Sequence, residues 1–169
     1  MRGRAVLAAL VCGGFLLASG CFFVRAPVAI GPALVVGHVL GGVGEPVEIP
    51  IEVLDFPRPV AGVAVLGLSY DPQVLELSDL EGKNGFVVLC RCFDNARGLV
   101  KFIAVNPNAG IASGSVVILR GIRVGPGDPR FALSAFQIVD EANTLIPAGE
   151  FALRLGGAPL YGVRRSSGP

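Results

Sequence analysis

Few residues of this sequence could carry acid–base or nucleophilic chemistry. Its 169 residues include a single histidine, His38, which lies in a β-rich run just before a glycine-rich turn. A serine nucleophile needs a base such as histidine, an acid that orients the base, and an oxyanion hole. The sequence contains no G-x-S-x-G elbow that would present such a serine. We therefore interpret His38 as a solvated or core histidine.

The carboxylates offer a second kind of chemistry, because a pair of them can hydrolyse a glycosidic bond. The candidates are Glu48, Glu52, Asp55 and Asp71, and their spacing selects no pair. Enzymes of this kind also tend to stack sugar rings on tryptophan and tyrosine, whereas this chain has no Trp and two Tyr. We expect the protein to have no enzymatic activity.

Phosphate and metal sites receive little support from the motifs. The segment 41–44 is too short for a G-x-G-x-x-G fingerprint and opens no helix, which favours a hairpin turn. No D-x-[DN]-x-[DN]-G calcium loop is present. The Asx residues of 94–95 and 140–143 could hold calcium, but such residues also form ordinary turns, and we favour turns. We expect the domain itself to bind no metal and no cofactor.

Two of the four cysteines, Cys90 and Cys92, lie in the body of the sequence. Two residues apart on a strand, they share one side with Cα atoms ~6.5–7 Å apart, which is at or beyond the limit for a disulfide. Zinc prefers four ligands, and the sole histidine is remote in sequence. We expect both to be buried, unreactive thiols.

The N-terminal segment has the pattern of an export signal. Arg2 and Arg4 precede an uncharged run, 5–24, that ends at Arg25. Within it, residues 17–21 (Leu-Ala-Ser-Gly-Cys) resemble a bacterial lipobox, which implies acylation of Cys21. Cleavage by an ordinary signal peptidase and an uncleaved signal anchor are the alternatives. All three predict an extracytoplasmic domain, and the first and third predict membrane attachment at the cell surface.

Composition and periodicity predict an all-β domain. Hydrophobic residues make up 52% and charged residues 16%, and 24 Gly and 13 Pro are spread along the chain, which is typical of short strands joined by tight turns. The net charge of +1 and the lack of a basic patch give no support for a nucleic-acid partner. Strand patterns bounded by turn residues occupy 34–39, 47–54, 60–70, 74–80, 86–93, 99–106, 115–124, 131–139 and 151–155, of which 74–80 is a short amphipathic piece. Such spacing predicts a sandwich or barrel of about nine strands.

These patterns also divide the chain into four parts. We predict a signal peptide or signal anchor at 1–20, a spacer at 21–33, the β-sandwich at 34–157 and a flexible tail at 158–169.

The alternation of side chains along three strands predicts which residues face outward. In segment 60–70 we place Tyr70 inward. Because side chains alternate along a strand, Leu68, Leu66 and Ala64 should then also point inward, and Val63 and Val65 should point outward. In segment 99–106 Lys101 should face solvent, which turns Leu99 and Ile103 outward.

The strand 86–93 is phased in the same way by its one charged residue. Arg91 should face solvent, which turns Leu89 and Phe93 outward and leaves Val88, Cys90 and Cys92 in the core.

Together the three strands predict an exposed apolar patch with a cationic rim, and such a patch usually marks an interaction site. Its residues are Val63, Val65, Leu89, Arg91, Phe93, Leu99, Lys101 and Ile103. Substitution of Val65 by Asp should then weaken partner binding without unfolding the domain. Two alternatives stay open: loops or the tail cover this face, or a bulge inverts one of the strands.

Several segments, in order, resemble the cohesin domains of cellulosomal scaffolds. The stretch 60–75 contains an early glycine, an alternating strand, Tyr-Asp-Pro and a following Val-Leu. The turn and strand of 44–51, the turn of 110–114 and the segment 140–147 are also similar to cohesin segments. The resemblance covers roughly 35–157.

The resemblance implies a nine-stranded jelly-roll sandwich, similar also to carbohydrate-binding modules. One flat sheet, built from 60–70, 86–93, 99–106 and 131–139, would bind dockerins, which are calcium-loaded helical modules carried by other secreted proteins. Any calcium is then expected on the partner. The leading hypothesis is a non-catalytic, surface-tethered, dockerin-binding domain of an extracellular polysaccharide-degrading or envelope assembly.

Two other hypotheses remain open at this point. A carbohydrate-binding module would share the fold, although ten Phe, two Tyr and no Trp make a poor sugar-stacking strip. A structural subunit of an envelope complex would use the same patch as a permanent interface.

Overall fold

The computed structural model describes residues 31–156 as nine β-strands in two sheets. The strands are β1 (Ala33–Val36), β2 (Pro46–Leu54), β3 (Val60–Ser69), β4 (Leu75–Gly82), β5 (Val87–Asp94), β6 (Leu99–Val105), β7 (Gly114–Arg123), β8 (Ala132–Asp140) and β9 (Ala152–Leu155). The predicted signal segment, Cys21, most of the spacer and the tail 158–169 lie outside the described residues. Within 31–156 there is no apolar helix of the length needed to cross a bilayer.

The two sheets form the expected jelly-roll sandwich. A five-stranded sheet has the order β4-β7-β2-β1-β9, and a four-stranded sheet has the order β5-β6-β3-β8. The β1–β9 pair is parallel, and the other strand pairs are antiparallel. The prediction of an all-β, nine-stranded sandwich is therefore confirmed. The predicted grouping of segments 60–70, 86–93, 99–106 and 131–139 in one sheet is also confirmed.

The core lies between the inner faces of the two sheets. On β2 the predicted alternation is observed, because Val47, Ile49, Ile51 and Val53 are buried while Glu48 is exposed. Phe102 of β6 is the largest fully buried side chain opposite them. Burying a side chain of this kind stabilises the fold by about 1.5–3 kcal/mol.

The segment predicted as a short amphipathic piece is the edge strand β4. Leu75, Leu77 and Leu80 are buried, which breaks strict alternation by one residue. The register with β7 shifts between Leu77 and Asp79, so one extra residue accounts for the change of phase.

A polar contact between the sheets closes one end of the sandwich. The Asn95 side chain, in the β5–β6 turn, pairs with the backbone of Leu77 on β4: Nδ2 donates to the Leu77 carbonyl at 2.9 Å, and Oδ1 accepts from its N–H at 3.1 Å. The Tyr70 hydroxyl donates to the same Oδ1. Asp94 accepts the Arg97 N–H in this turn at 3.1 Å, as expected of an Asx turn.

Replacing Asn95 by Ala should destabilise the domain by about 2–4 kcal/mol, because it leaves partly buried groups of Leu77 and Tyr70 without partners. Urea denaturation of the full chain measures this loss. Asn108 is the control, because it contributes to its exposed turn through its backbone N–H. The N108A variant should therefore change the free energy of unfolding by less than about 0.5 kcal/mol. Equal denaturation midpoints for the two variants would contradict the assigned role of Asn95.

The pKa of Tyr70 is raised mainly because burial penalises the phenolate, and the negative charges of Asp94 and Glu76 add to the effect. The unfolded tyrosine loses its proton near pH ~10. Above that pH the folded state binds the proton more tightly than the unfolded state, so the free energy of unfolding should fall as the pH rises from about 10 toward the folded pKa. Stability measured against pH should show this fall in the wild type and a smaller fall in Y70F.

Candidate partner-binding face

The outer face of the four-stranded sheet consists mainly of small and apolar side chains. Across the four strands, Cys90 pairs with Ile103, Ile103 with Ala64, and Ala64 with Gln137. A second row joins Cys92 to Lys101, and a third joins Leu99 to Ser69 and Ser69 to Ala132. Since paired residues share one side of a sheet, these rows define the face. With Leu66, which is 43% exposed, its residues are Ala64, Leu66, Ser69, Cys90, Cys92, Leu99, Lys101, Ile103, Ala132 and Gln137.

The outer face of the five-stranded sheet is different, because it carries a network of ion pairs. Arg120 Nε lies 2.8 Å from Glu48 Oε1, and Arg120 also contacts Glu81, which binds Lys83. The hydrogen bond from Lys83 is the main reason that the pKa of Glu81 is lowered. A polar outer face of this kind is the normal condition of a sandwich sheet. The apolar face of the four-stranded sheet is therefore the feature that indicates an interaction site.

Two predicted patch residues, Val63 and Val65, lie in the core and not on this face, and each is 1% exposed. The register of β3 shifts between Val65 and Leu68, where a bulge changes the phase of the strand. The inward and outward directions predicted by counting back from Tyr70 were therefore right for Leu68 and wrong for the residues before the bulge.

The bulge has two consequences for the sequence-based predictions on β3. Leu66, predicted inward, is exposed, and Ala64, also predicted inward, is partly exposed on the outer face. Val65→Asp would bury an unpaired carboxylate in the core, so we now expect this variant to destabilise the domain and not to leave the fold intact.

The predicted phase of β5 was right for Val88, which packs against the core, and for Leu89, which is exposed, but it was wrong from Cys90 onward. Cys90 and Cys92 are exposed on the outer face, as their pairing with Ile103 and Lys101 requires, so the expectation of buried thiols fails. Phe93 is partly buried and packs against the core. Leu89, 63% exposed, lies where the register with β6 shifts between Val88 and Cys90.

Arg91 explains the inverted phase. It pairs with the buried Phe102 and so lies on the inner side of the sheet, but β5 is an edge strand, and the long side chain reaches past the edge. There it forms an ion pair with Asp79 of β4, and its Nη1 donates to the Leu80 carbonyl at 3.1 Å. Arg91 therefore links the two sheets, and it is not part of the outer face.

The phase of β6 was predicted correctly. Val100, Phe102 and Ala104 are buried, so Leu99, Lys101 and Ile103 point outward. Residues of the face that the sequence did not identify include Leu66, Ala64 and Gln137. A usable signal was Gly67, since a glycine inside a strand often marks a bulge; a Cβ here would lie 2.3 Å from the Ser134 Oγ.

The other candidates for chemistry have structural partners. Asp140, predicted in a turn, accepts from the N–H groups of Ala142 at 3.0 Å and Thr144 at 2.8 Å, and it binds Arg58 at 3.0 Å. Segment 41–44 forms the predicted turn between β1 and β2.

Each candidate carboxylate has a hydrogen-bond or ion-pair partner of its own. Glu48 binds Arg120, and Glu52 accepts from the Ser115 hydroxyl. Asp55 accepts from the Ser113 hydroxyl, and Asp71 accepts from the Gln73 N–H. His38 is exposed in the loop after β1. Among residues 31–156, no three His, Cys, Asp or Glu side chains come together as metal ligands would.

The sequence matches no protein-family model and no curated protein. Among solved structures, the type II cohesin dyad of the adaptor ScaA scaffoldin of Acetivibrio cellulolyticus is similar with a TM-score of 0.62 and 12% identity, over 76% of this chain and 50% of the dyad chain. This chain thus spans half the length of that dyad. A type I cohesin–dockerin complex from Clostridium thermocellum has a TM-score of 0.57 and 12% identity, over 75% of this chain and 94% of that one.

A non-cellulosomal cohesin from the hyperthermophilic archaeon Archaeoglobus fulgidus is also similar, with a TM-score of 0.54 and 18% identity, over 73% of this chain and 86% of that one. At such identities the similarity concerns the backbone architecture. The chain therefore has the fold of cohesin modules.

Proposed function

We propose that this domain is a non-catalytic protein-binding module that docks a dockerin-type partner on the outer face of its four-stranded sheet. The observation that carries the proposal is the contrast between the two outer faces. One carries the ion pairs of Arg120, and the other exposes Leu66, Ile103 and Leu99 with Lys101 among them. An apolar centre with charge beside it is the usual composition of a protein-binding surface.

The shape of the face suits a helical partner. Its central strand, β3, contributes the small residues Gly62, Ala64 and Ser69, so Leu66 is the one large side chain that this strand projects from the middle. Ile103 and Leu99 of the neighbouring strand β6 lie beside it. A helix could lie across such a surface, with Lys101 selecting an acidic group on the partner.

Solved relatives of the fold support dockerin as the partner class. The similar structures include a type I cohesin–dockerin complex from Clostridium thermocellum and a type II cohesin–X-dockerin complex from Acetivibrio cellulolyticus. In this proposal any calcium belongs to the partner. The experiment is capture from secreted and surface proteins of the source organism on the immobilised full chain, in calcium or in a chelator, followed by identification by mass spectrometry. Calcium-dependent capture of a dockerin-bearing protein supports the proposal, and capture of none overturns it.

Substituting Leu66 by Asp should weaken binding of that purified dockerin roughly tenfold or more, because it places a charge in the centre of the apolar contact. Ile122→Asp is the matched control: Ile122 is 48% exposed against 43% for Leu66, and it lies on β7, an inner strand of the other sheet. It should change the Kd less than about twofold.

Calorimetry of both variants measures the Kd, and circular dichroism verifies that each is folded. Equal losses of affinity in the two variants, or none in L66D, would place the partner elsewhere.

We further propose that Cys21 is acylated and tethers the domain to the outer surface of a membrane. The support is the lipobox-like segment 17–21 behind Arg2 and Arg4.

Metabolic labelling with an alkyne fatty acid should mark the wild-type chain and leave C21S unmarked, because acylation requires that thiol. C12S, which alters the other N-terminal cysteine, should still be labelled. Equal labelling of wild type and C21S, or failure to label the wild type, would contradict acylation at Cys21.

A further inference from the structure

We propose that two copies of this chain join through the edge strand β5 in an antiparallel pair, with Cys90 of each copy bonded to Cys92 of the other. The inference is independent of the dockerin proposal. It rests on the open edge of β5, on the exposure of both thiols and on the register that brings them together.

The strand β5 has an unpaired edge. It pairs with β6 on one side, and no other strand among residues 31–156 pairs with its opposite side, so within this part of the chain its outer edge presents free N–H and C=O groups. Natural edge strands are usually protected by proline or by charges. β5 contains no proline, its Arg91 is drawn toward Asp79, and Val87 and Leu89 are 51% and 63% exposed.

The other edges in residues 31–156 are better protected. β4 carries Glu76, Asp79 and Glu81, and β9 has only four residues. The end of β8 is bridged to the next segment by Val139 and Leu145. β5 is therefore the edge most open to a second strand.

Self-pairing of β5 aligns the cysteines. In an antiparallel pair with Arg91 on the two-fold axis, Cys90 lies opposite Cys92 of the second copy, and the reverse pair follows by symmetry. Directly opposed residues have Cα atoms ~4.5 or ~5.5 Å apart, both within the ~4.4–6.8 Å range of disulfides. Within one copy the spacing of two along the strand is ~6.5–7 Å, which disfavours an internal bond.

The remaining side chains accept this register. Both thiols lie on the outer face, so their sulfur atoms meet on one side of the joined sheet. Arg91 meets its own symmetry mate, but each guanidinium is already paired with Asp79. A depression of about 340 Å³ lined by Val88, Leu89, Cys90 and Arg91 lies along this strand, and the strand of the second copy would cover it.

The bond-forming step needs an oxidant, for which a small disulfide such as oxidised glutathione suffices. The Cys90 thiolate attacks it, forming a mixed disulfide and releasing one glutathione. The Cys92 thiolate of the second copy then displaces the second glutathione. Two protein disulfides thus consume two oxidised glutathione molecules and release four of reduced glutathione.

The dimer would form one eight-stranded sheet in which the outer faces of both copies are continuous. Two partner-binding faces would then lie side by side on a rigid support. A partner with two modules would gain avidity without any new contact.

The test uses the full chain in detergent with Cys12 and Cys21 changed to Ser, incubated with a glutathione redox buffer. We expect a dimer on non-reducing gels and in light scattering, which dithiothreitol converts to monomer. Trypsin cleaves after Arg91 and so separates the two cysteines. The dimer should yield peptide 84–91 linked to peptide 92–97, and not either peptide linked to itself.

The single variants test the register. C90S and C92S should each abolish the covalent dimer, because each removes one partner from both disulfides. A dimer that persists in C92S through Cys90–Cys90, or a wild type that remains monomeric with an internal or glutathione-capped thiol pair, would overturn the proposal. As a control for the edge, Leu89→Lys should slow dimer formation several-fold, whereas Ile122→Asp on the other sheet should leave it unchanged.

Discussion

The packing of the two inner sheet faces determines which residues of this domain are available outside. Stacked sheets lie ~10 Å apart, and side chains from alternate positions of each strand fill that space. On β6 the core takes Val100, Phe102 and Ala104. The residues that alternate with them on β6 therefore face outward. The candidate binding face is therefore the complement of the core, and an error in assigning the core becomes an error in assigning the face.

The sequence predicted the strands well because they are long, alternating and bounded by turn residues, and β2 shows this most clearly. It predicted the faces less well where the period breaks. The bulge between Val65 and Leu68 adds one residue to β3 without changing its composition, so the strand remains recognisable while half of it is inverted. The register of β3 depends on its partner strand as well as on its own sequence. Here it involves Ser134 and Ala135 of β8, which lie far from β3 in the sequence.

The inverted phase of β5 has a different physical cause. The rule that a charged residue faces solvent holds for the inner strands of a sheet, as Lys101 shows on β6. On an edge strand, a side chain on the inner side of the sheet can also reach water if it is as long as that of arginine. Arg91 uses that route to reach Asp79. Strand order was therefore needed before the charge could be used to phase the strand, and strand order is a long-range property of the fold.

The two outer faces differ in a way that stability alone does not explain. Exposed ion pairs such as Arg120–Glu48 contribute little to stability because water and salt screen them, so their main effect is to keep one face hydrated. Among residues 31–156 the opposite face has no such network, and at its centre small residues of β3 flank Leu66. A Cβ on Gly62 would lie 2.7 Å from Val139 Cγ2, so the glycine lets that side chain close over β3. Within residues 31–156, an apolar outer surface next to an edge strand that no other strand covers leaves the four-stranded sheet open in two directions, above its outer face and beside β5.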